Sequence, residues 1–453
     1  MPDPATLTQR FAEWSSRLGA VPDDVRGAAR WHVLDALGTG LAAARLGAVD
    51  FAVEEAMGYG TPPEASILGY RTRHPAPMAA LANGTLIHAL DFDDTHAAAI
   101  LHGSAAVLPS VLAVSEVVDA TLDTAVDAYV VGVEMAVRVG AAATRKFHNR
   151  GFHATSVVGI FGATLAASRL LRLDPSATVN ALGIAGSQAA GSLEFLSTAS
   201  LTKPLHPGWA GLSAVMAARM AARGATGPSS ILEGKWGVYR AYADTTVDAG
   251  GVTTGLGESW EATQMTTKPY PVCQYSHATL DTLGLLPDDL DTGRIGRIDI
   301  GLPRDSLVVV AEPRESRLRP RTTHEAKFSV QWNVATMLLD GYLGVDHFTE
   351  EQLGRKDVRR LAAKVFVHRR AFDGSLAEAP GDVTITLDDG TTISRTVTSG
   401  SATPGRPVDE GALLDKFLSN VAGSVENPEG IAKLVIEDGA LPVAELMSMT
   451  SRS

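Results

Sequence analysis

Apolar residues recur at helical spacing through roughly the first 265 residues, and alanine and glycine fill many of those positions. WHVLDALGTGLAAA (Trp31–Ala44), AYVVGVEMAVRV (Ala128–Val139, with Asp127 before it) and FGATLAASRLL (Phe161–Leu171) carry the pattern most clearly. Small residues at such spacing let helix backbones approach closely, so this region is read as a tightly packed helical domain. Turn-forming runs such as RGATGPSS (Arg223–Ser230) separate the helices. No internal repeat or long linker interrupts the order.

The period changes after about residue 290. RIGRIDIGL (Arg294–Leu302) and KVFVH (Lys364–His368) alternate apolar and polar residues, as half-buried strands do. VTITLDDGTTIS (Val383–Ser394) reads as a hairpin, with Val383, Ile385 and Leu387 on one face and Asp389-Gly390 in the turn. FSVQWNVATMLL (Phe328–Leu339) between them is helical, and GALLDKFL (Gly411–Leu418) returns to helical periodicity and is expected to pack back on the first domain. The fold class expected is therefore mainly α: a large all-helical domain from 1–268 and 402–453, and a smaller α+β lid domain from 269–401.

Composition removes several functions. A formal charge of −12 argues against a nucleic-acid partner. The single cysteine, Cys273, rules out an internal disulfide and cannot supply the thiolates of an iron–sulfur cluster. The N-terminal MPDPATLTQR lacks a signal-peptide pattern, and the apolar stretches fall short of a membrane span, so a cytoplasmic protein without a membrane partner is expected. There is no Walker loop, no G-x-S-x-G elbow and no dinucleotide G-x-G-x-x-G after a strand.

Four segments concentrate polar chemistry. HALDFDDTH (His88–His96) packs two histidines, three aspartates and a threonine into nine positions, with His102 close behind. On a continuing helix His88, Asp91 and Thr95 would share a face, whereas Asp93, Asp94 and His96 are read as supporting or solvated. No zinc spacing or second carboxylate cluster accompanies it, so no metal is expected. GFHATSVVG (Gly151–Gly159) places His153 at a helix entrance, with the following hydroxyls as caps. TKPLHPG (Thr202–Gly208) holds Lys203 against a proline, a costly position for a cation unless it meets an anion. KPYPVCQYSH (Lys268–His277), where the two patterns meet, supplies Lys268, Tyr270, Cys273 and His277; for Cys273 an inert, buried thiol is the plainer reading. Histidine, lysine, aspartate and threonine spread over four segments suit proton transfer without a cofactor.

These motifs together resemble the MmgE/PrpD family, which includes 2-methylcitrate dehydratase, cis-aconitate decarboxylase and iminodisuccinate epimerase. The resemblance runs nearly end to end: LDALG (Leu34–Gly38), HALDFDDTH, HGSAAVLP (His102–Pro109), GFHATSVVG, TKPLHPG, ILEG (Ile231–Gly234), KPYPVC, EAKFS (Glu325–Ser329) and Gly400-Ser401 occur in the family's order. It implies a helical domain completed by the C-terminal tail, a smaller lid, a homodimer, and an active site in the cleft between domains. It implies catalytic roles for His102, His153, Asp91 and Lys203, with the two histidines as acid and base and Asp91 tuning one of them. Thr95 and Lys268 would bind substrate, with Tyr270, Cys273 and His277 beside them.

Two departures stand out. One extra residue precedes His102 relative to the decarboxylase pattern, and Cys273 stands where that enzyme has an active-site histidine, five residues after the lysine. The function implied is a cofactor-independent lyase acting on a di- or tricarboxylate, led by 2-methylcitrate-like dehydration. Decarboxylation or epimerisation is the alternative, and a non-catalytic binding or assembly role on the same scaffold is the reading of another class.

Overall fold

A computed structural model describes residues 5–198, 200–372, 379–401 and 409–451. The chain divides into two compact units: Met1–Thr267 with Val408–Ser453, and Lys268–Pro407. Lys268 therefore opens the second unit rather than closing the first. The expected upper boundary, at 401/402, borders residues outside those described, and the N-terminal MPDP lies outside them.

The first unit is built mainly from helices, but it is not all-helical as expected, since Ala65–Ser66 pairs antiparallel with Arg73–His74. The helices that position the site are α1 (Asp23–Arg45), α2 (Ala76–His88), α3 (Gly103–Val117), α4 (Leu122–Ala141), the single turn α5 (Ala154–Val157), α6 (Gly159–Leu170), α7 (Leu205–Ala222) and α10 (Glu410–Val421). α7 packs against α2, α3 and α6, and α4 against α6. The α2–α7 crossing explains the small residues. A Cβ on Gly84 would lie 2.8 Å from Cα and N of Gly208, so the two backbones touch where any side chain would hold them apart. α10, from the C-terminal segment, packs on α1, as the sequence pattern predicts. Among the described residues no single helix is long and apolar enough to cross a membrane.

The second unit contains α8 (His277–Leu283), α9 (Val330–Asp340) and strands β1 (Ile295–Leu302), β2 (Val365–Arg369), β3 (Gly381–Leu387) and β4 (Thr392–Val397). They form one sheet in the order β2-β1-β3-β4, with β1 parallel to β2 and antiparallel to β3. β3 and β4 are the expected hairpin, with Ile385 opposite Ile393. Val383 and Ile385 are fully buried and meet Ile298 and Ile300 of β1 and Trp332 of α9 in one core, while Thr384 and Thr386 take the other face. The fold is mainly α with a smaller α+β unit.

Candidate active site

α2 ends at His88, and the chain does not continue as a helix: Asp91 adopts a left-handed conformation, with φ of 54°. Aspartate tolerates that region better than most residues. The expected helical face of His88, Asp91 and Thr95 is thus not formed, because the turn redirects each side chain separately. The aspartates are not solvated either. Asp91, Asp93 and Asp94 are 7%, 0% and 1% exposed.

Each aspartate has its own partner. Asp91 Oδ1 accepts from Lys203 Nζ at 2.6 Å, so the two residues expected from distant segments meet as an ion pair. Asp93, not Asp91, is the carboxylate on the histidines. Its Oδ2 accepts from His88 Nδ1 at 2.9 Å and lies 3.2 Å from His102 Nδ1, although the second approach is less well aligned. Asp94 turns to the scaffold, accepting from Ser104 N at 3.0 Å and from Ser104 Oγ at 2.5 Å, with His32 Nδ1 at 3.1 Å. Thr95 forms a short backbone bridge with Thr266, and its hydroxyl lies 3.2 Å from that of Thr266.

A buried layer supports this loop. Lys416 of α10 donates to Phe92 O at 2.8 Å and pairs with Asp35 of α1 at 2.6 Å. Burial opposes charge on both partners, pushing Asp35 up to about 6 and Lys416 down from its usual value. The loop between Asp91 and Asp94 is thereby tied to a residue more than 300 positions away in sequence.

The histidines gather around the same point. His102 is the N-cap of α3 and donates its backbone N–H to Thr155 Oγ1 at 3.2 Å. His153 is the N-cap of α5. The hydroxyls after it do not cap that turn, as the sequence suggests; Thr155 accepts from His102, and Ser156 Oγ donates to His206 O at 3.1 Å. Ring centroids of His88 and His102 are 4.5 Å apart, those of His88 and His153 5.7 Å, and those of His102 and His153 6.4 Å. His206 and His148 complete the group, at 5.2 Å and 6.4 Å from His153.

The electrostatics follow from burial. His88 is pushed down to about 4 by desolvation, with the His102 and Lys203 charges adding to it and Asp93 opposing it. His148 and His206 are also pushed down to about 4, each chiefly by burial. Desolvation, then the charges of His88, Lys203, His206 and His102, hold His153 well below the usual histidine range. Burial alone would raise Asp93, but the adjoining His88 and His102 outweigh it and keep the carboxylate ionised.

An ionised carboxylate facing two ring nitrogens requires N–H at both, because a lone pair there would be repelled. A neutral His102 therefore carries its proton at Nδ1 and its basic lone pair on Nε2. That is the arrangement of an oriented general base. The donor atoms of His88, Asp93 and His102 also lie within 4.8 Å of one another, so the same three residues have the spacing of a metal triad. Holding an ion through the Nδ1 atoms would require both to lose their protons.

Lys268, Tyr270, Cys273 and His277 belong to the second unit. Lys268 is buried, at 4% exposure. Tyr270 donates its hydroxyl to Asp281 at 3.1 Å, and Ser401 donates to the same carboxylate from its backbone N at 2.6 Å. His277 starts α8, with Nε2 3.2 Å from Val272 O, and its ring stands edge-on to Tyr270 at 5.6 Å. Cys273 is half-buried, and its backbone N–H donates to Lys327 O at 3.0 Å. Sequence reasoning left His88, Asp93, His148 and His206 out of the site. For His206 a signal exists, since it follows Lys203 by three residues at the start of a helix.

A buried histidine group, two members facing one carboxylate and the whole set beside a lysine–aspartate pair, is the equipment of an acid–base enzyme. The MmgE/PrpD N-terminal domain matches residues 9–248 and the MmgE/PrpD C-terminal domain matches residues 270–438. The chain belongs to the MmgE/PrpD family and is an enzyme of that type, among lyases and dehydratases, which sets aside the binding or assembly reading. Its relatives include the cis-aconitate decarboxylase of Aspergillus terreus, 27% identical over 98% of this chain and 94% of the relative. The human cis-aconitate decarboxylase is 29% identical over 95% and 91%, and the mouse enzyme 30% identical over 77% and 72%.

Proposed function

We propose that this lyase acts on a di- or tricarboxylate, without a bound cofactor, by moving a proton at a carbon α to a carboxylate. The observation that carries the reading is the Asp93–His102 relationship, which leaves Nε2 of His102 as an oriented base within one ring's reach of His88 and His153. Lys203 supplies positive charge for a substrate carboxylate and for the enolate-like charge that develops during proton transfer. Asp91 holds the lysine in place. The family resemblance adds Lys268 as a second carboxylate-holding cation and Thr95 as a hydrogen-bond donor to substrate.

Two outcomes of this chemistry have separate support. Decarboxylation of a cis-aconitate-like acid is favoured by the relatives, which align over more than nine-tenths of this chain in the fungal and human cases. There, loss of CO2 leaves an electron pair that shifts the double bond, and a histidine N–H delivers the proton that completes the product. Dehydration of a 2-methylcitrate-like hydroxy acid is favoured by Cys273, which replaces the histidine of the decarboxylase pattern. In that reaction one histidine takes the α-proton and another protonates the leaving hydroxyl.

Incubating the protein with cis-aconitate and with 2-methylcitrate, and identifying products by proton NMR, tests the reading. Decarboxylation yields two new vinylic protons on one carbon; dehydration yields a new olefin with no loss of carbon. Consumption of neither acid, nor of other citrate-like acids, contradicts the assignment.

A further inference from the structure

His153 and His206 face each other through the same ring atom. Nδ1 of His153 lies 3.0 Å from Nδ1 of His206, with the rings tilted by 49°. A ring nitrogen donates when protonated and accepts when bare, so this contact needs one of each. Two N–H groups would direct their protons at each other, and two lone pairs would repel. The contact therefore carries a single proton, and the ring that lacks it is protonated at Nε2 when neutral. Both rings are held neutral near pH 7, for the reasons of burial and neighbouring charge given above.

The geometry is fixed from several sides. The backbone N–H of His153 donates to Gly191 O at 2.8 Å, and Ser156 holds the carbonyl of His206. Phe195 stands edge-on to both rings, at 6.3 and 5.8 Å. Gly191 has φ of 123°, and a Cβ there would meet Ser156 Cβ at 2.9 Å, so the strand of chain over the pair comes this close only as glycine. The charged and titratable groups nearest the pair are Lys203, His88, His102 and His148. His102 differs from His153 in one respect that matters: its Nδ1 faces a carboxylate, which fixes one tautomer, whereas Nδ1 of His153 faces a group able to take its proton.

We propose that His206 is the proton partner of His153: the N–H between their Nδ1 atoms passes from ring to ring, and so switches Nε2 of His153 between a lone pair that takes a proton and an N–H that gives one. This rests on the reading of His153 as an acid–base group. When Nε2 of His153 takes a proton from the substrate, the ring becomes imidazolium. Its Nδ1 proton then moves to Nδ1 of His206, which leaves His153 neutral and protonated at Nε2. His206, now carrying both N–H groups, releases its Nε2 proton to water. One proton has passed from substrate to solvent, and the reverse sequence delivers one. His206 is thus a positioning and relay residue; it need not touch substrate.

The test has two arms. In the first, nitrogen NMR of the resting protein labelled with 15N-histidine reads the tautomers without substrate, assigned by single His-to-Gln variants. One ring protonated at Nδ1 and the other at Nε2 is expected; two rings both protonated at Nε2 would overturn the inference. In the second, His206→Gln keeps a group able to hold the hydrogen bond but unable to accept a proton. Its kcat is expected to fall by about 100-fold, with KM little changed and an altered pH profile. A wild-type kcat and pH profile in that variant would overturn the relay. If the wild-type protein turns over none of the acids tried, the functional reading fails, while the labelled spectrum still decides whether the proton is shared.

Discussion

Asp93 places one carboxylate oxygen, Oδ2, 3.2 Å from Nδ1 of His102 in a position closed to solvent. The same oxygen holds His88, so a single buried charge sets the protonation of two rings. Asp93→Asn keeps the shape but removes the charge, and its amide can present an N–H where an acceptor is needed. His102 then loses the reason to stay protonated at Nδ1, and its lone pair is no longer confined to Nε2. The expected result is a loss of about 100-fold or more in kcat with near-native KM, measured by steady-state kinetics.

Lys203 and Asp91 are a partly buried pair, and removing one leaves the other without its nearest counter-charge. Lys203→Met is expected to lower kcat/KM sharply and to destabilise the fold by about 3 kcal/mol, at the lower end for a broken buried pair. Chemical denaturation compared with the wild type reads the second effect. The double variant Lys203→Met/Asp91→Leu should recover much of the stability and none of the activity.

Acid should unfold this protein early. His88 and His206 are pushed down to about 4 in the folded chain, while an unfolded histidine titrates near 6.5. Between those values the unfolded chain binds more protons, so stability rises with pH in that window and falls as pH drops through it. Linkage gives a loss on the order of 2 kcal/mol per histidine between pH 7.5 and pH 5. Unfolding free energies measured across that range check the sign and the size, and His88→Gln should flatten the slope.

The α2–α7 crossing is the most sensitive point of the helical packing. Gly84→Ala would drive a methyl group into the backbone of Gly208, four residues before His88 on one helix and two after His206 on the other. Overpacking of this kind costs about 1–3 kcal/mol. Because the displaced helices carry site residues, activity should fall further than stability alone explains; thermal melts and kcat on the same preparation separate the two.

Much of this architecture was legible in the chain, because periodicity and packing are local signals. The strands at Ile295–Leu302 and Val365–Arg369, the Gly381–Val397 hairpin and the alanine-rich helices follow from side-chain period alone. His102, His153 and Lys203 stood out as polar groups beside apolar helices, and the fold gathers them with Asp91 around His88. What could not be read was the division of labour inside DFDD. A left-handed residue at Asp91 turns three neighbouring carboxylates toward a lysine, two histidines and a serine, respectively. No spacing rule predicts such a turn, since it is held by Lys416 from the far end of the chain. His206 could be noticed three residues after Lys203, but its significance lies in which nitrogen of His153 it meets.

The proposed reaction turns on a proton moving between His102 and a carbon atom. Turnover in D2O, followed by NMR for the wild type and for His102→Gln, measures that directly. The wild type is expected to place solvent deuterium on a carbon α to a carboxylate, in the product if the acid is decarboxylated and in the recovered hydroxy acid by back-exchange if it is dehydrated, and His102→Gln to place none while keeping a wild-type melting curve. Wild-type turnover by His102→Gln, or a decarboxylated product formed in D2O without deuterium at any carbon, would contradict it.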